Sequence, residues 1–129
     1  MIPRGQLSLE RVALPETAAP MRHALGAFLD ALDIPECVRL DVVTAVGEAL
    51  ANAVEHAYRN GPVGEVKIVA RMEPDGVLAV EVVDRGTFAD PRPRPNRGFG
   101  LRIVRSVAQT VTLETNAGTT VCMRFDLPS

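Results

Sequence analysis

Four groups of residues have types and spacings that could do chemistry. In the first group, Glu48 and Asn52 are four residues apart, so on a helix their side chains lie one turn apart on the same face. A carboxylate and a carboxamide so placed can share one divalent cation and its waters, or one can bind metal while the other takes a proton. A solvated helix face is the alternative explanation of this pair.

Two further groups lie at predicted strand ends. Asp84 and Gly86 follow a valine-rich run. An acid at the end of a buried strand can accept a hydrogen bond from an exocyclic amine, and the glycine lets the backbone approach a flat ligand. A turn after a strand explains the same pair. The segment Gly118-Thr119-Thr120 indicates only a β-turn when it is taken alone.

The fourth group is Arg97-Gly98-Phe99-Gly100-Leu101, at the start of a predicted helix. Two glycines at a helix N-terminus leave backbone N–H groups free to hold an anion, and the helix dipole favours one. Six arginines and a single acid lie between residues 85 and 105 of a chain whose net charge is −2. That local balance suits a phosphate-bearing ligand or an acidic partner. An ordinary helix start is the alternative.

The elements that must position these groups follow from the apolar spacing and the chain breakers. We predict helices over about Ala18 to Leu32, Glu36 to Tyr58 and Gly98 to Gln109. We predict strands over about Gln6 to Val12, Val63 to Met72, Val77 to Asp84, Val111 to Thr115 and Thr119 to Leu127. The turn Glu73-Pro74-Asp75-Gly76 joins the middle two strands as a hairpin.

The second helix has an apolar stripe that predicts which of its faces is buried. The stripe consists of Leu40, Val43, Val46, Leu50, Val54 and Ala57, and the residues Glu48, Asn52, Glu55 and His56 lie opposite. For His56 a structural role and a contact with a bound nucleotide are both open. Strands that come in hairpins predict an α+β two-layer sandwich, with a mixed, mostly antiparallel sheet covered on one face by three helices.

Length and charge exclude several classes of function. At about 150 residues per domain, 129 residues make one domain, residues 1–129. A net charge of −2 argues against general electrostatic binding to nucleic acid or to an anionic membrane. No apolar run is long enough to span a bilayer and the N-terminus lacks a signal-peptide pattern, so we expect a cytoplasmic protein. The isolated Cys37 and Cys122 match no zinc-binding spacing.

The order and spacing of the four groups together resemble the GHKL ATP-binding (Bergerat) fold of gyrase, heat-shock chaperone, histidine kinase and MutL-type ATPases. The run from Gly47 to Tyr58 looks like the N-box of the bacterial anti-sigma-factor serine/threonine kinases. The run from Arg97 to Val104 looks like their second glycine box, and Leu14-Pro15 with the amphipathic first helix also fits. The resemblance covers about residues 5 to 127.

This resemblance implies a kinase that uses ATP and Mg²⁺. Asn52 matches the family's Mg²⁺-binding asparagine, which bridges to the ATP phosphates. Glu48 matches the general base that polarises the hydroxyl of the attacking serine. Asp84 matches the acid that reads the adenine amine, and Gly86 is the glycine beside it.

The remaining nucleotide contacts are implied in the same way. In the second glycine box, Gly98, Phe99, Gly100 and Leu101 would bind ATP, with the two glycine amides holding phosphate. Thr119 or Thr120 stands where the family's Gly-Thr element closes the adenine pocket.

The implied partners are an anti-anti-sigma protein of the STAS type, which is phosphorylated, and a sigma factor, which is sequestered. Partner recognition in the family uses the first strand and helix, here about Gln6 to Leu32, and often a homodimer. Phe88 replaces a glycine of the first glycine box, and the lid between Asp84 and Gly98 is short and proline-rich. These departures keep open a nucleotide-dependent protein-binding switch with little or no transfer. A histidine-kinase catalytic domain is a weaker alternative, because no helix with a phosphoacceptor histidine precedes it.

Overall fold

In the part of the chain that the structure describes, five antiparallel strands form one sheet, and two α-helices cover one of its faces. The computed structural model describes residues 5–57, 63–86, 106–114 and 118–127, with side chains up to residue 55 in the first range. The strands are β1 (Gln6–Val12), β2 (Glu65–Met72), β3 (Val77–Asp84), β4 (Thr110–Glu114) and β5 (Thr119–Asp126), in the sheet order β1-β2-β3-β5-β4. The helices are α1 (Pro15–Ala31) and α2 (Glu36–Asn52).

The predicted α+β class is confirmed, with two corrections. All four strand pairings among the described residues are antiparallel, so this sheet is not mixed. The described residues contain two α-helices rather than three. The third predicted helix, Gly98 to Gln109, falls mostly outside them, and in its described part only residues 106–107 are helical. Neither described helix combines the length and apolar character needed to cross a bilayer.

The core lies between the helices and the central strands. Alternate residues of each strand face the helices, as the two-residue period of a strand requires. In β3 these are Leu78, Val80 and Val82, all buried, and the next residue on that face is Asp84. Helix α1 contributes Met21, Leu25 and Leu29, which the helical spacing of apolar residues places on one face. The apolar line of β3 thus ends in a carboxylate.

Helix α1 begins three residues earlier than predicted. Leu14, in extended conformation, is the N-cap residue, and Pro15 occupies the first helical position, where its missing N–H is not needed. The Thr17 hydroxyl accepts from the Leu14 N–H at 3.2 Å and donates to the Val12 carbonyl at 2.6 Å. This local capping fixes the start of the helix against the end of β1.

Helix α2 buries Val46 and Leu50 of the predicted stripe and packs Val43 and Val54 against the core, but it departs from the prediction at Leu40. Its buried side chains are those of Val42, Ala45, Val46, Ala49 and Leu50, whereas Leu40 is 61% exposed. α2 packs against α1, β3 and β5 at once, and its small alanines allow that close approach while the larger Leu40 is turned outward. The predicted helix to Tyr58 ends as an α-helix at Asn52, and a π-helical turn follows over Ala53–Ala57.

Candidate functional site

The candidate site centres on Asp84, at the C-terminal end of β3. Its side chain is the one buried charged group among the described residues, at 6% exposure. Oδ1 accepts hydrogen bonds from the Gly86 N–H at 3.0 Å and from the Thr119 N–H at 3.3 Å. Burial raises the pKa of the Asp84 carboxyl, and the N–H groups of Gly86 and Thr119 partly oppose that rise. The carboxylate is therefore fixed in place but poorly solvated.

The position of β3 explains how these donors reach the carboxylate. β3 pairs with β2 on one side and β5 on the other, and Asp84 is the register partner of both Val66 and Thr119. The Gly86 N–H reaches Oδ1 because the chain turns directly after the strand, in the local pattern that Asp side chains favour. The Thr119 N–H reaches it from the first residue of β5. Two elements distant in sequence thus hold one carboxylate oxygen.

Gly118 makes this arrangement sterically possible, and sequence reasoning did not select it as a site residue. Its φ is +102°, and a Cβ at this position would lie 2.1 Å from the Asp84 carbonyl oxygen and 2.6 Å from the Arg85 Cα. Only glycine lets the start of β5 approach the end of β3 this closely. The signal in the sequence was the glycine directly before the two threonines, taken there as an ordinary turn.

The pairing register of β3 and β5 also distinguishes Thr119 from Thr120, either of which the resemblance would place at the adenine pocket. Thr119 is opposite Asp84, whereas Thr120 is opposite Val83. Directly opposed residues share a face of the sheet, and successive residues alternate between faces. Thr119 therefore lies on the Asp84 face, and Thr120 lies on the face away from α1 and α2. The arrangement favours Thr119 as the residue beside a ligand of Asp84.

Glu48 and Asn52 lie one turn apart near the C-terminal end of α2, and both are partly exposed. The buried Ala45 and Ala49 lie on the adjoining side of the helix, and α2 packs on the strands that carry Asp84 and Thr119. The π-helical turn begins directly after Asn52. Such turns interrupt the regular hydrogen-bond ladder and are frequent at functional sites.

A family model described as a histidine kinase-like ATPase domain matches residues 12–125. The chain belongs to this family. The ATPase domain is 36% identical to the anti-sigma F factor of Clostridium beijerinckii over 126 residues, 88% of this chain and 87% of that protein. It is 30% identical to the anti-sigma F factor of Geobacillus stearothermophilus over 135 residues, 94% of this chain and 92% of that protein.

Solved structures show the same fold. The RsbU and RsbW domains of a Mycobacterium tuberculosis protein superpose with a TM-score of 0.79 at 25% identity, covering 97% of this chain and 32% of that one. The histidine kinase domain of a blue-light activated histidine kinase from Erythrobacter litoralis gives 0.60 at 28% identity, with 70% and 45% covered. The ATPase domain thus spans about a third of the first structure and less than half of the second.

The other predicted site residues fall outside the described ones. Gly98, Phe99, Gly100 and Leu101 of the second glycine box, with Phe88 of the first, lie within residues 87–105. The His56 side chain also lies outside the described part of the chain. Their roles stay predictions.

The oxygen atoms that α2 offers suit Mg²⁺ better than they suit a metal ion whose ligands are all protein side chains. No three His, Cys, Asp or Glu side chains among the described residues come together as a metal-binding group. Glu48 and Asn52 instead offer one carboxylate and one amide oxygen. Mg²⁺ is commonly held by one or two such protein oxygens together with waters and the phosphates of a substrate. An ATPase domain supplies that substrate in ATP.

Proposed function

We propose that this chain is an anti-sigma-factor kinase. It binds ATP with Mg²⁺, transfers the γ-phosphoryl group to a serine or threonine of an anti-anti-sigma protein of the STAS type, and sequesters a sigma factor. The observation that carries the proposal is the buried Asp84 carboxylate, held by two backbone N–H groups in an ATPase domain. The anti-sigma F factors among its relatives support the choice of a sigma factor as one partner.

Asp84 selects adenine in this proposal. The hydrogen bonds from Gly86 and Thr119 both fall on Oδ1, so Oδ2 is the oxygen that accepts from the exocyclic amine of the base. Adenine presents a donor there, whereas guanine presents a carbonyl oxygen that would repel a carboxylate. A donor from the ligand also favours the ionised form that burial disfavours. A hydrogen bond from the amine would oppose the rise in the pKa of Asp84 that burial causes.

Glu48 and Asn52 serve the transfer itself. The Asn52 amide oxygen would hold Mg²⁺, which would neutralise charge on the phosphates. The partly exposed Glu48 carboxylate takes the proton from the attacking hydroxyl. The oxygen of that hydroxyl forms a bond to the γ-phosphorus, the bond from the γ-phosphorus to the bridging oxygen breaks, and ADP leaves. In such a reaction the protein mainly positions groups and stabilises charge.

A nucleotide-dependent binding switch without transfer is the second candidate. It is favoured by Phe88, which stands where the family's first glycine box usually has a glycine. A phenylalanine at that position would hinder close approach of the backbone to the phosphates. The switch keeps the role of Asp84 and removes that of Glu48.

The decisive experiment measures phosphate transfer from γ-labelled ATP to STAS-domain proteins of the same genome, purified singly. We expect Glu48→Gln to lower kcat by about 10²- to 10⁴-fold with ADP affinity unchanged. Glu36→Gln, which removes an exposed carboxylate from the first turn of the same helix, is the matched control and should keep kcat. Transfer by Glu48→Gln at the wild-type rate would contradict the assigned base. Nucleotide-dependent binding without transfer by the wild type would establish the switch.

A further inference from the structure

Leu40 on α2 is the most exposed large apolar side chain among the described residues. Four such side chains are exposed there: Val12 at 44%, Leu40 at 61%, Val63 at 52% and Leu113 at 36%. Single exposed apolar residues are ordinary on a protein surface. Leu40 differs because it lies on the helix that carries Glu48 and Asn52.

Uncharged residues recur around Leu40 along one side of α2, and between Thr44 and Ala51 the Arg22 side chain lies over Gly47, with Arg22 Cδ 3.0 Å from where a Gly47 Cβ would be. Leu40, Thr44 and Ala51 are all exposed and recur at the spacing i, i+4, i+11, so they lie within a narrow strip of the helix surface. Cys37, also exposed, lies one turn before Leu40. We call these four residues the α2 docking face. The buried stripe of α2, Val42 to Leu50, lies on the opposite side.

A second line beside this face carries negative charge. Asp41 and Glu48 are seven residues apart, two helical turns, and so stack on one edge of the docking face. A partner that covers the face therefore meets an uncharged strip with an acidic border along one edge. Its complement is an apolar side chain with a basic residue beside it.

The proposed chemistry determines what must cover this face. Glu48 acts on a hydroxyl carried by another protein, so that protein lies over the exposed side of α2 around Glu48 during transfer. Leu40 is eight residues from Glu48, about 12 Å along the helix axis. An interface of standard size covers about 800 Å² on each partner, roughly 30 Å across, so one that is centred near Glu48 reaches the turn of α2 that carries Leu40.

The region expected from the resemblance offers a weaker apolar anchor. Over Gln6 to Leu32, Val12 is the exposed large apolar side chain among the described residues. Its register partner is Glu65, which places it on the face of the sheet away from α1 and α2. A second copy of the chain seated on the α2 docking face would cover Glu48 and block transfer.

Resting on the proposed kinase function, we infer that the α2 docking face binds the phosphoacceptor protein, with Leu40 as its apolar anchor. The acceptor presents its hydroxyl next to an apolar side chain and a basic residue. Leu40 is thus a specificity residue that acts on the protein substrate and leaves nucleotide binding alone.

The test compares Leu40→Gln with Leu40→Met, which keeps the apolar surface, and with Val12→Thr on the other face. Purified STAS-domain proteins of the same genome are titrated with ADP present, and transfer from ATP is followed separately. For Leu40→Gln we expect Kd and KM for the acceptor to rise about tenfold or more, since a contact of leucine size is lost. Leu40→Met and Val12→Thr should stay near the wild type. ADP affinity and Tm should be unchanged in all three.

The outcomes separate the docking face from the kinase reaction. If Leu40→Gln binds the acceptor with wild-type affinity, or if only Val12→Thr loses affinity, the α2 docking face is overturned. The proposed kinase function is not affected by that result. Binding of an acceptor without transfer overturns the kinase, and the Kd of Leu40→Gln then still decides the docking face. If the wild type binds no STAS-domain protein, both proposals fall.

Discussion

Two carboxyl groups of neighbouring strands, Asp84 on β3 and Glu65 on β2, both have a raised pKa, but for different reasons. Asp84 is the register partner of Val66, so Glu65 lies one residue away and on the opposite face of the sheet. For Asp84 the main cause is burial. For Glu65 it is a hydrogen bond with the Glu10 carboxyl and the charge of that same group, in a region open to solvent.

The contrast separates the carboxyl group that we propose as part of a ligand site from one whose raised pKa a neighbouring acid explains. Asp84 is buried, and the backbone N–H groups of Gly86 and Thr119, from two separate elements, donate to it. Glu65 lines an open cavity of about 260 Å³ with Glu10, Lys67, Val83 and Arg85. A shared proton between two surface acids explains its shift without a ligand. A raised pKa therefore indicates function only together with burial and oriented donors.

The strongest way to break the Asp84 site is to add a methyl group at Gly118. We expect Gly118→Ala to destabilise the chain by about 3 kcal/mol or more, lowering Tm by roughly 10 °C, because the new Cβ would overlap the Asp84 carbonyl. Adenine nucleotides should no longer raise the Tm. Gly76→Ala is the matched control, since its φ is +81° but nothing lies within 4 Å of the added Cβ.

The control should lose only about 1 kcal/mol, from backbone strain, and should keep its response to ADP. Thermal melting with and without ADP checks both variants. Equal losses of stability in the two glycine variants would mean that the close approach of β5 to Asp84 does not stabilise the fold.

Asp84→Asn sharpens the comparison by keeping the shape and removing the charge. The amide oxygen can still accept from Gly86 and Thr119, but the amide nitrogen then faces the amine of adenine. We expect ADP affinity to fall about 100-fold, which is about 2.7 kcal/mol, and the preference for ADP over GDP to shrink. Binding titrations with the two nucleotides measure this. Unchanged ADP affinity would exclude Asp84 as the group that reads the base.

Asp84→Asn is expected to weaken ADP binding, but in the absence of nucleotide we expect it to favour the folded state. Because the folded-state pKa of Asp84 is raised, the ionised carboxylate opposes folding at neutral pH. Asp84→Asn should therefore have a Tm at pH 7 equal to or above that of the wild type. The advantage should shrink as the pH falls through the folded-state pKa and vanish below about 3.9, the ordinary pKa of an unfolded Asp. A growing advantage at low pH would contradict burial as the cause.

The smallest effect is expected from Glu65→Gln. The change removes one of two facing carboxyl groups on the exposed side of the sheet, so Tm at pH 7 should rise slightly. Since the pKa of Glu65 is raised by Glu10, the rise should fade as the pH falls and the pair takes up its proton. ADP binding should match the wild type. A loss of ADP affinity would show that both faces of the sheet serve the nucleotide.

How far the sequence predicts this molecule depends on the element. The strands β1 and β3 were predicted with their observed bounds, and α1 with its buried residues Met21, Leu25 and Leu29. Their signals are local, because alternation, helical spacing and the turn at Gly76 do not depend on distant partners. The buried stripe of α2 was wrong at Leu40, since three elements pack on that helix and spacing alone does not say which side they take.

The sequence alone indicated the order of α1, α2 and the five strands, the ATPase family through its resemblance, and the candidate pair of Glu48 and Asn52, since each depends on residue types and spacings along the chain. Only the tertiary structure decided that Gly118 is required, that Thr119 rather than Thr120 lies beside Asp84, and that Leu40 is exposed. These are facts of register and packing between segments far apart in the chain. They depend on how the strands align, which the spacing within one segment cannot specify.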